Sequence, residues 1–287
     1  MPKLTQSQVK GFEEDGFVFP VDALTQDRAA ELRDTVLTHL ADCHRQGGAR
    51  AALAFGPKVH LMAEWAHRLV RRPELLEIAE SMLGPDILVW GTQIFVKEPG
   101  GKTDLAWHQD ALTYDLDSEG RLAAFRVWLA LTPTSVENGT LRFAAATHRD
   151  GIRTHRRTPG LRGMMRGDEA AFDENDFVRH DVVLRPGQCS LHNMLVVHGS
   201  GLNRTKDTRV AFAIDYLAPS VRPSGGEDSA LLVQGRDAYG HFVLEQPPSD
   251  DPGDEAMARC GDAVGMRMAR LQAAEAERKK SGALVHG

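Results

Sequence analysis

The chain has 287 residues, 42% of them hydrophobic, enough to bury a substantial core, and its net charge of −6 argues against a general nucleic-acid or anionic-membrane surface. Three widely spaced cysteines, Cys43, Cys189 and Cys260, fit neither a disulfide framework nor a zinc site and point to a reducing compartment. No basic segment leads into an apolar run at the N-terminus and no apolar stretch reaches membrane length, so a soluble cytoplasmic protein is expected, with a small-molecule substrate and no membrane or nucleic-acid partner.

The first third carries helix signals. Thr5-x-x-Gln8 has the form of a capping box before Val9 and Phe12, Thr25 opens a run with Leu32, Val36 and Leu40, and Pro73 starts a helix that Gly84-Pro85 ends. The pattern then shortens. Ile87 to Lys97, Ala123 to Thr132, Val182 to Leu184, Gln188 to His192, Val196 to His198 and Thr208 to Leu217 are apolar or alternating and bounded by Gly, Pro, Asn or Asp. Helices followed by strands suit one antiparallel sandwich or barrel flanked by helices. Arg153 to Asp176, with Pro159-Gly160, Gly163 and Gly167, reads as a long loop and as a lid over a site. From Asp254 onward, Met257, Cys260, Val264, Met268 and Leu271 lie at helical spacing, a packing face against the barrel or a partner subunit that leaves a homo-oligomer open. One domain over residues 1–287 is expected, with a helical part to about 85, a β core over about 86–220 and a C-terminal extension over about 221–287.

Chemistry concentrates in four side chains: His108 and Asp110 of Trp107-His108-Gln109-Asp110, then His198, then Arg209. Two imidazoles and a carboxylate make the facial triad that holds non-haem Fe(II) and leaves three coordination positions open, and an arginine can grip the distal carboxylate of a keto-acid with two parallel hydrogen bonds. With 12 histidines, about one His-x-Asp arises by chance, and His148-Arg149-Asp150 is a second match. Context separates them. Residues i and i+2 of a strand share a face and can grip one ion, and Asp104 to Trp107 reads as a strand, whereas His148 to Gly151 has the composition of a turn. In the strand Thr208 to Leu217, Val210, Phe212, Ile214 and Tyr216 suit a packed face, while Ala211 and Ala213 beside Arg209 leave room for a small ligand.

Other signals have plainer readings. Gly100-Gly101-Lys102-Thr103 lacks the first glycine of a phosphate-binding loop and reads as a turn, and no dinucleotide-binding glycine pattern occurs. Cys189 is expected to be a buried structural thiol, and His192 to pack in the core or to support the metal site from behind.

Trp107-His-Gln-Asp, Glu137-Asn-Gly-Thr-Leu followed by Thr147-His148, Pro186-Gly-Gln-x-Ser-Leu-His192, His198-Gly-Ser-Gly-x-Asn203-Arg with Arg209, and the opening Leu4-Thr-x-x-Gln-x-x-x-Phe12 with Asp15-Gly-Phe-Val together resemble the phytanoyl-CoA dioxygenase family over about residues 4–218. The resemblance implies a mainly β fold with flanking α-helices, a double-stranded β-helix of the cupin-like jelly-roll type. It implies Fe(II), 2-oxoglutarate and O2 as the reactive partners. Position by position, His108, Asp110 and His198 correspond to the iron ligands, Arg209 and Ser200 to the residues holding the far carboxylate of 2-oxoglutarate, and Trp128 to a tryptophan lining that pocket. Lys58 and Gln93 match further cosubstrate-binding positions by motif order. One departure is visible: Ala145-Ala146 stands where relatives show Pro-Gly, which bears on the conformation of that loop.

The carboxylate at Asp110 fills the position that halogenating relatives leave small, so hydroxylation of a C–H bond, with release of succinate and CO2, is the expected outcome. A metal dioxygenase or isomerase that does not use a keto-acid, and a catalytically silent jelly-roll binding protein, stay open as alternatives. Substrate contacts are expected from Tyr114, the strand around Trp128, and Arg156, Arg157, Arg162 and Arg166 of the long loop.

Overall fold

The computed structural model describes residues 4–102, 104–113, 123–157, 168–223, 225–248, 254–281 and 284–286. Local signals at the N-terminus act as expected. Helix α1, Gln6–Asp15, begins at a capping box in which the Thr5 hydroxyl accepts from the Gln8 N–H and the Gln8 side chain accepts from the Thr5 N–H, and it ends at Gly16 in the left-handed conformation. Strand β1, Phe17–Asp22, follows, then α2, Gln26–Gln46, capped by Thr25. Three short helices, α3 (Gly48–Leu53), α4 (Val59–Met62) and α5 (Glu64–Val70), precede α6 (Pro73–Leu83), which opens on its proline and stops at Gly84.

The strands are β2 (Ile87–Lys97), β3 (Leu105–His108), β4 (Ala124–Ala130), β5 (Leu141–Ala144), β6 (His155–Arg157), β7 (Asp168–Ala170), β8 (Arg179–Asp181), β9 (Gln188–Asn193), β10 (His198–Ser200), β11 (Arg209–Leu217), β12 (Ser229–Gln234) and β13 (Val243–Leu244). Helix α7, Asp254–Ser281, and the short strand β14, Leu284–His286, complete the described chain. Two facing sheets form the jelly roll. The larger has the order β1-β9-β4-β11-β2-β12-β13 and the smaller β3-β10-β5-β8. The larger sheet therefore recruits β1 and β12 from outside residues 86–220. Val182 to Leu184, expected as a strand, lies just past β8 instead: Val182 N–H still bonds Leu141 O, but Thr134 Oγ1 and the Val182 carbonyl then bond to each other and the pairing stops.

Strand β11 is buried along its whole length and sets the layers. Val210, Phe212, Ile214 and Tyr216 face a core shared with Val36, Leu69, Leu75 and Ile78 from the helices, while Ala211 and Ala213 face the other sheet. Burying each large apolar side chain contributes about 1.5–3 kcal/mol, so this row fixes which face of β11 meets the helices. The Tyr216 hydroxyl donates to the Val70 carbonyl at 2.9 Å, and Trp65 meets Phe212 edge-on, ring centroids 5.4 Å apart. On α7, Met257, Cys260 and Val264 pack against Leu61 and Met62 of α4. The first half of the expected stripe therefore packs against this chain's own helix.

The described parts of the segment read as a loop carry secondary structure. Strands β6 and β7 pair antiparallel, β14 adds parallel to β6, and Glu174–Asp176 forms a 3-10 turn. Its centre, 158–167 with Arg162 and Arg166, lies outside the described residues, as do Tyr114 and the side chains of Arg156 and Arg157, so the expected lid and those contacts are not described. No helix among the described residues is long and apolar enough to cross a membrane.

Candidate active site

The site lies between the facing sheets, and cross-strand register builds it. In the smaller sheet His198 is paired with His108 on one side and Phe143 on the other, and Ser200 with Leu105 and Leu141. In the larger sheet, one row runs Gly91, Asp215, Arg126, His192 across β2, β11, β4 and β9, and the next runs Gln93, Ala213, Trp128, Ser190. Beyond these, Ala211 and Ala130 pair beside Phe95, and Lys97 pairs with Arg209.

Asp110 follows β3 at the start of a 3-10 turn. Among the described residues, His108, Asp110 and His198 offer ligand atoms within 4.8 Å of one another, all three side chains buried. His108 Nδ1 donates to the Ala106 carbonyl at 2.8 Å and His198 Nδ1 to the Val196 carbonyl at 2.9 Å, which leaves Nε2 of each ring as the lone-pair donor. Those Nε2 atoms stand 3.7 and 3.6 Å from the Asp110 carboxylate oxygens. Burial, then the neighbouring His108, holds the His198 imidazole well below its ordinary pKa despite Asp110, so it is neutral and ready to ligate. Burial alone raises the Asp110 pKa, but the Arg126 guanidinium, 2.8 Å from its Oδ2, outweighs burial and holds it well below the usual carboxylate range. Two neutral imidazoles and one anionic carboxylate are the donor set that Fe(II) takes in a facial triad, and the three residues form that triad here.

Gln109, between the two ligands in sequence, points away from them and rivets the surroundings. Its side-chain amide donates to the carbonyls of Gly151 and Leu195 at 2.8 and 2.6 Å and accepts from the Arg153 N–H at 2.8 Å. The base of β6 is fixed to the same point, because the Gln109 N–H donates to Nε2 of buried His155. His192 reaches the site as well: its Nε2 is 3.4 Å from Asp110 Oδ2, and its ring lies 4.8 Å from that of His198 and 4.9 Å from that of Phe143.

On the far side of His198 from Asp110, Arg209, Ser200 and Trp128 line a cavity of about 30 Å³ together with Lys97, Phe95 and Leu141. That volume exceeds the 10–15 Å³ or so that one water occupies by such a measure, and suits a carboxylate group. The Arg209 guanidinium lies 5.1 Å over the Trp128 ring and donates to the Gly139 carbonyl at 2.7 Å. Gly139 is required there, since its φ is +73° and a Cβ would come within 2.3 Å of the Gly201 carbonyl. Arg209 Nε and Trp128 Nε1 are buried donors with no hydrogen-bond partner among the described residues. Orphan donors of this kind are costly unless a ligand satisfies them, so the cavity fits an anionic group such as the distal carboxylate of a keto-acid.

The structure does not bring Lys58 to this cavity. Its ammonium is buried on the outer side of β2, donating to the Ser229 carbonyl at 2.7 Å and to Glu245 at 2.5 Å. Gln93 stands on the inner face in the row of Trp128 but is not part of the cavity wall. His148 turns away from the site, its Nε2 donating to the Glu13 carbonyl at 3.1 Å, so the second His-x-Asp is no ligand pair. Ala146 takes φ +64°, the conformation a glycine would supply, and its N–H bonds the Asp15 carbonyl at 2.8 Å. Cys189 is fully buried and burial pushes its thiol up to about 12, an unreactive core group. Sequence reasoning missed Lys97 and Arg126. Alternation along β2 and β4 places both on the inner face, but their partners become visible only when the sheet order is known.

Comparison with known proteins agrees with this geometry. The solved structure of a non-heme monooxygenase, apo ThoJ, superposes with a TM-score of 0.84 at 42% identity, covering 94% of this chain and all of that one. Its nickel complex gives 0.79 at 39% identity, covering 93% and 99%. A probable alpha-ketoglutarate-dependent hypophosphite dioxygenase of Stutzerimonas stutzeri is 26% identical over 195 residues, 66% of this chain and 67% of that protein. Human peroxisomal phytanoyl-CoA dioxygenase is 28% identical over 152 residues, so this chain spans 44% of that enzyme's length. The profile of the phytanoyl-CoA dioxygenase (PhyH) family matches residues 12–211, most of the chain and all of the strands that carry the triad, and the chain therefore belongs to that family of Fe(II)- and 2-oxoglutarate-dependent oxygenases.

Proposed function

We propose that this oxygenase hydroxylates a C–H bond of a small organic substrate, converting substrate, 2-oxoglutarate and O2 into alcohol, succinate and CO2. The observation that carries the reading is the convergence of His108, Asp110 and His198 beside a cavity walled by Arg209, Ser200 and Trp128. Bound to the triad, Fe(II) with 2-oxoglutarate supplies the activation of O2. The protein's own work is positional. Arg209 and Ser200 hold the far carboxylate of the keto-acid, Trp128 closes that pocket with its ring, and the Asp110 carboxylate fills a coordination position that a halide would need. Gln93 borders the same face, whereas Lys58 acts in folding rather than in cosubstrate binding.

The nickel complex of ThoJ and the keto-acid dependence named for the Stutzerimonas relative support divalent-metal and keto-acid use by this chain. The jelly roll, its covering helices and α7 act as one oxygenase domain. The test is 2-oxoglutarate-dependent succinate formation by the Fe(II)-loaded protein, measured across a panel of small organic compounds. Product formation without 2-oxoglutarate, or none under any condition despite bound iron, would favour a keto-acid-independent enzyme or a binding protein.

A further inference from the structure

Along α7 the buried face changes chemistry. Cys260 and Ala263 are followed, at helical spacing, by Arg267 and Arg270, which are only 8% and 2% exposed. Withdrawing two guanidinium groups from water is costly unless each meets opposite charge. Arg270 does so outside the metal site: its Nε donates to Asp228 Oδ2 at 2.7 Å, and the same oxygen accepts from Trp90 Nε1 at 2.8 Å. Arg267 lies flat against Trp90, 3.4 Å from the ring centroid, and its end is aimed elsewhere. Trp90 is the extra residue of a bulge in β2, since Asp215 pairs with Gly91 while Tyr216 pairs with Val89. At Gly91 a Cβ would come within 2.7 Å of Arg267 Nη1 and 2.8 Å of Asp215 Oδ2. The space left by the missing side chain is therefore where the Arg267 guanidinium and the Asp215 carboxylate converge. From Asp215 the charges alternate inward: its oxygens accept from Arg126 at 2.6 and 3.0 Å, and Arg126 Nη1 stands 2.8 Å from Asp110 Oδ2.

We propose that Arg267 is a positioning residue for the metal site, acting from α7 through Asp215 and Arg126 on the ligand Asp110. This rests on Asp110 being a metal ligand. Arg126 serves two acids with one guanidinium, so whatever holds Asp215 decides how much of Arg126 remains for Asp110. With Arg267 sharing the Asp215 charge, Arg126 keeps its third nitrogen on Asp110 and fixes the carboxylate for the metal. Without it, Asp215 has one cation to itself and draws Arg126 away from the ligand. Helix α7 is then part of the active site rather than a cover for the barrel, and the unsubstituted Gly91 is the opening through which it reaches in.

The test measures Co(II) binding to the full-length protein without oxygen, by competition with a chelating dye, together with the visible ligand-field spectrum of the bound ion, which follows the geometry of its donors. Arg267→Gln keeps a planar head for Trp90 and removes the charge. It is expected to weaken Co(II) by about 3–10-fold, less than the roughly 10–100-fold of a directly bonded outer partner, and to shift the ligand-field bands. Gly91→Ala keeps every charge and wedges Arg267 from Asp215, so it should act in the same direction, and it carries the test should Arg267→Gln fail to fold. Arg270→Gln breaks the Asp228 pair on the same helix face. It is expected to lower the melting temperature while Co(II) affinity and spectrum stay as in the wild type. On an Asp215→Asn background, Arg267→Gln should have no further effect on Co(II). Equal weakening by Arg267→Gln and Arg270→Gln overturns the proposal, because it marks a loosened helix, and so does a full further loss on the Asp215→Asn background. If Arg267→Gln binds Co(II) like the wild type while His198→Ala does not, the Arg267 assignment falls and the triad stands. If His198→Ala also binds like the wild type, both fall.

Discussion

Arg126 and Asp110 form a buried ion pair, with Nη1 of the guanidinium 2.8 Å from Oδ2 of the metal-site carboxylate. The rest of the guanidinium is committed to Asp215, whose two oxygens accept from Nε and Nη2 at 2.6 and 3.0 Å. One arginine therefore sets the orientation of Asp110 from the larger sheet while His108 and His198 approach it from the smaller one. Replacing Arg126 by Met removes the guanidinium that bridges the buried carboxylates of Asp110 and Asp215. Loss of an outer partner of this kind lowers metal affinity by about 10–100-fold, which competition of a chelator for Fe(II) measures. Arg126→Lys is expected to recover little, because one ammonium cannot span both acids.

The triad itself predicts a larger effect. His198→Ala removes one of three ligands, and its Fe(II) affinity is expected to fall by more than the roughly 100-fold ceiling for outer partners. Iron stoichiometry after gel filtration gives the answer, and a wild-type iron content in this variant would falsify the ligand assignment.

Arg209 is tested through the cosubstrate. Truncating one partner of a buried charge pair costs about 2–5 kcal/mol, so Arg209→Ala should raise the dissociation constant for 2-oxoglutarate strongly while metal content stays near the wild-type level. Arg209→Lys recovers part of the loss, since it offers a point charge instead of a fork.

Away from the site, Glu245 joins Lys58 and His60 in a buried cluster that ties β13 to the helices, at 2.5 and 2.8 Å. Burial raises its pKa, but Lys58 and His60 outweigh burial and bring it down to about 2. The folded value lies below the unfolded one, so the stability this carboxylate contributes is fully present above the unfolded value of 4.5 and is lost as pH falls towards about 2. Glu245→Gln leaves a buried lysine unpaired, which costs about 3–5 kcal/mol. Urea denaturation at neutral pH is expected to show that loss, with a smaller gap between variant and wild type at acid pH.

Ala146 in the left-handed region carries a strain of about 1–2 kcal/mol for an L-residue, of which glycine's greater chain entropy offsets about 0.5–1. Ala146→Gly should therefore stabilise the fold slightly, seen as a rise in melting temperature with metal affinity unchanged. A fall in melting temperature removes the strain argument.

Much of this protein is legible along its sequence. The Thr5 capping box, the Pro73 start and Gly84 stop, the two-faced alternation of Val210 to Tyr216, and the i, i+2 spacing of His108 and Asp110 are all local, because caps, turns and strand faces depend on neighbouring residues alone. The triad and Arg209 could be named on those grounds, helped by the family's motifs. What the sequence could not decide is which distant residues share a row. Lys97 and Ser200 are 103 residues apart and Arg126 and Asp215 are 89 apart, yet each pair is hydrogen-bonded. Lys58 shows the converse: its place in motif order suggested the cosubstrate, and a glutamate 187 residues away takes its ammonium instead. Cross-strand register is set when whole sheets bury their apolar faces, and a slip of one residue would turn every inward side chain outward. The ligand-bearing residue types were therefore written in the chain, while their partners were chosen by the packing of β11 against the helices and of the two sheets against each other.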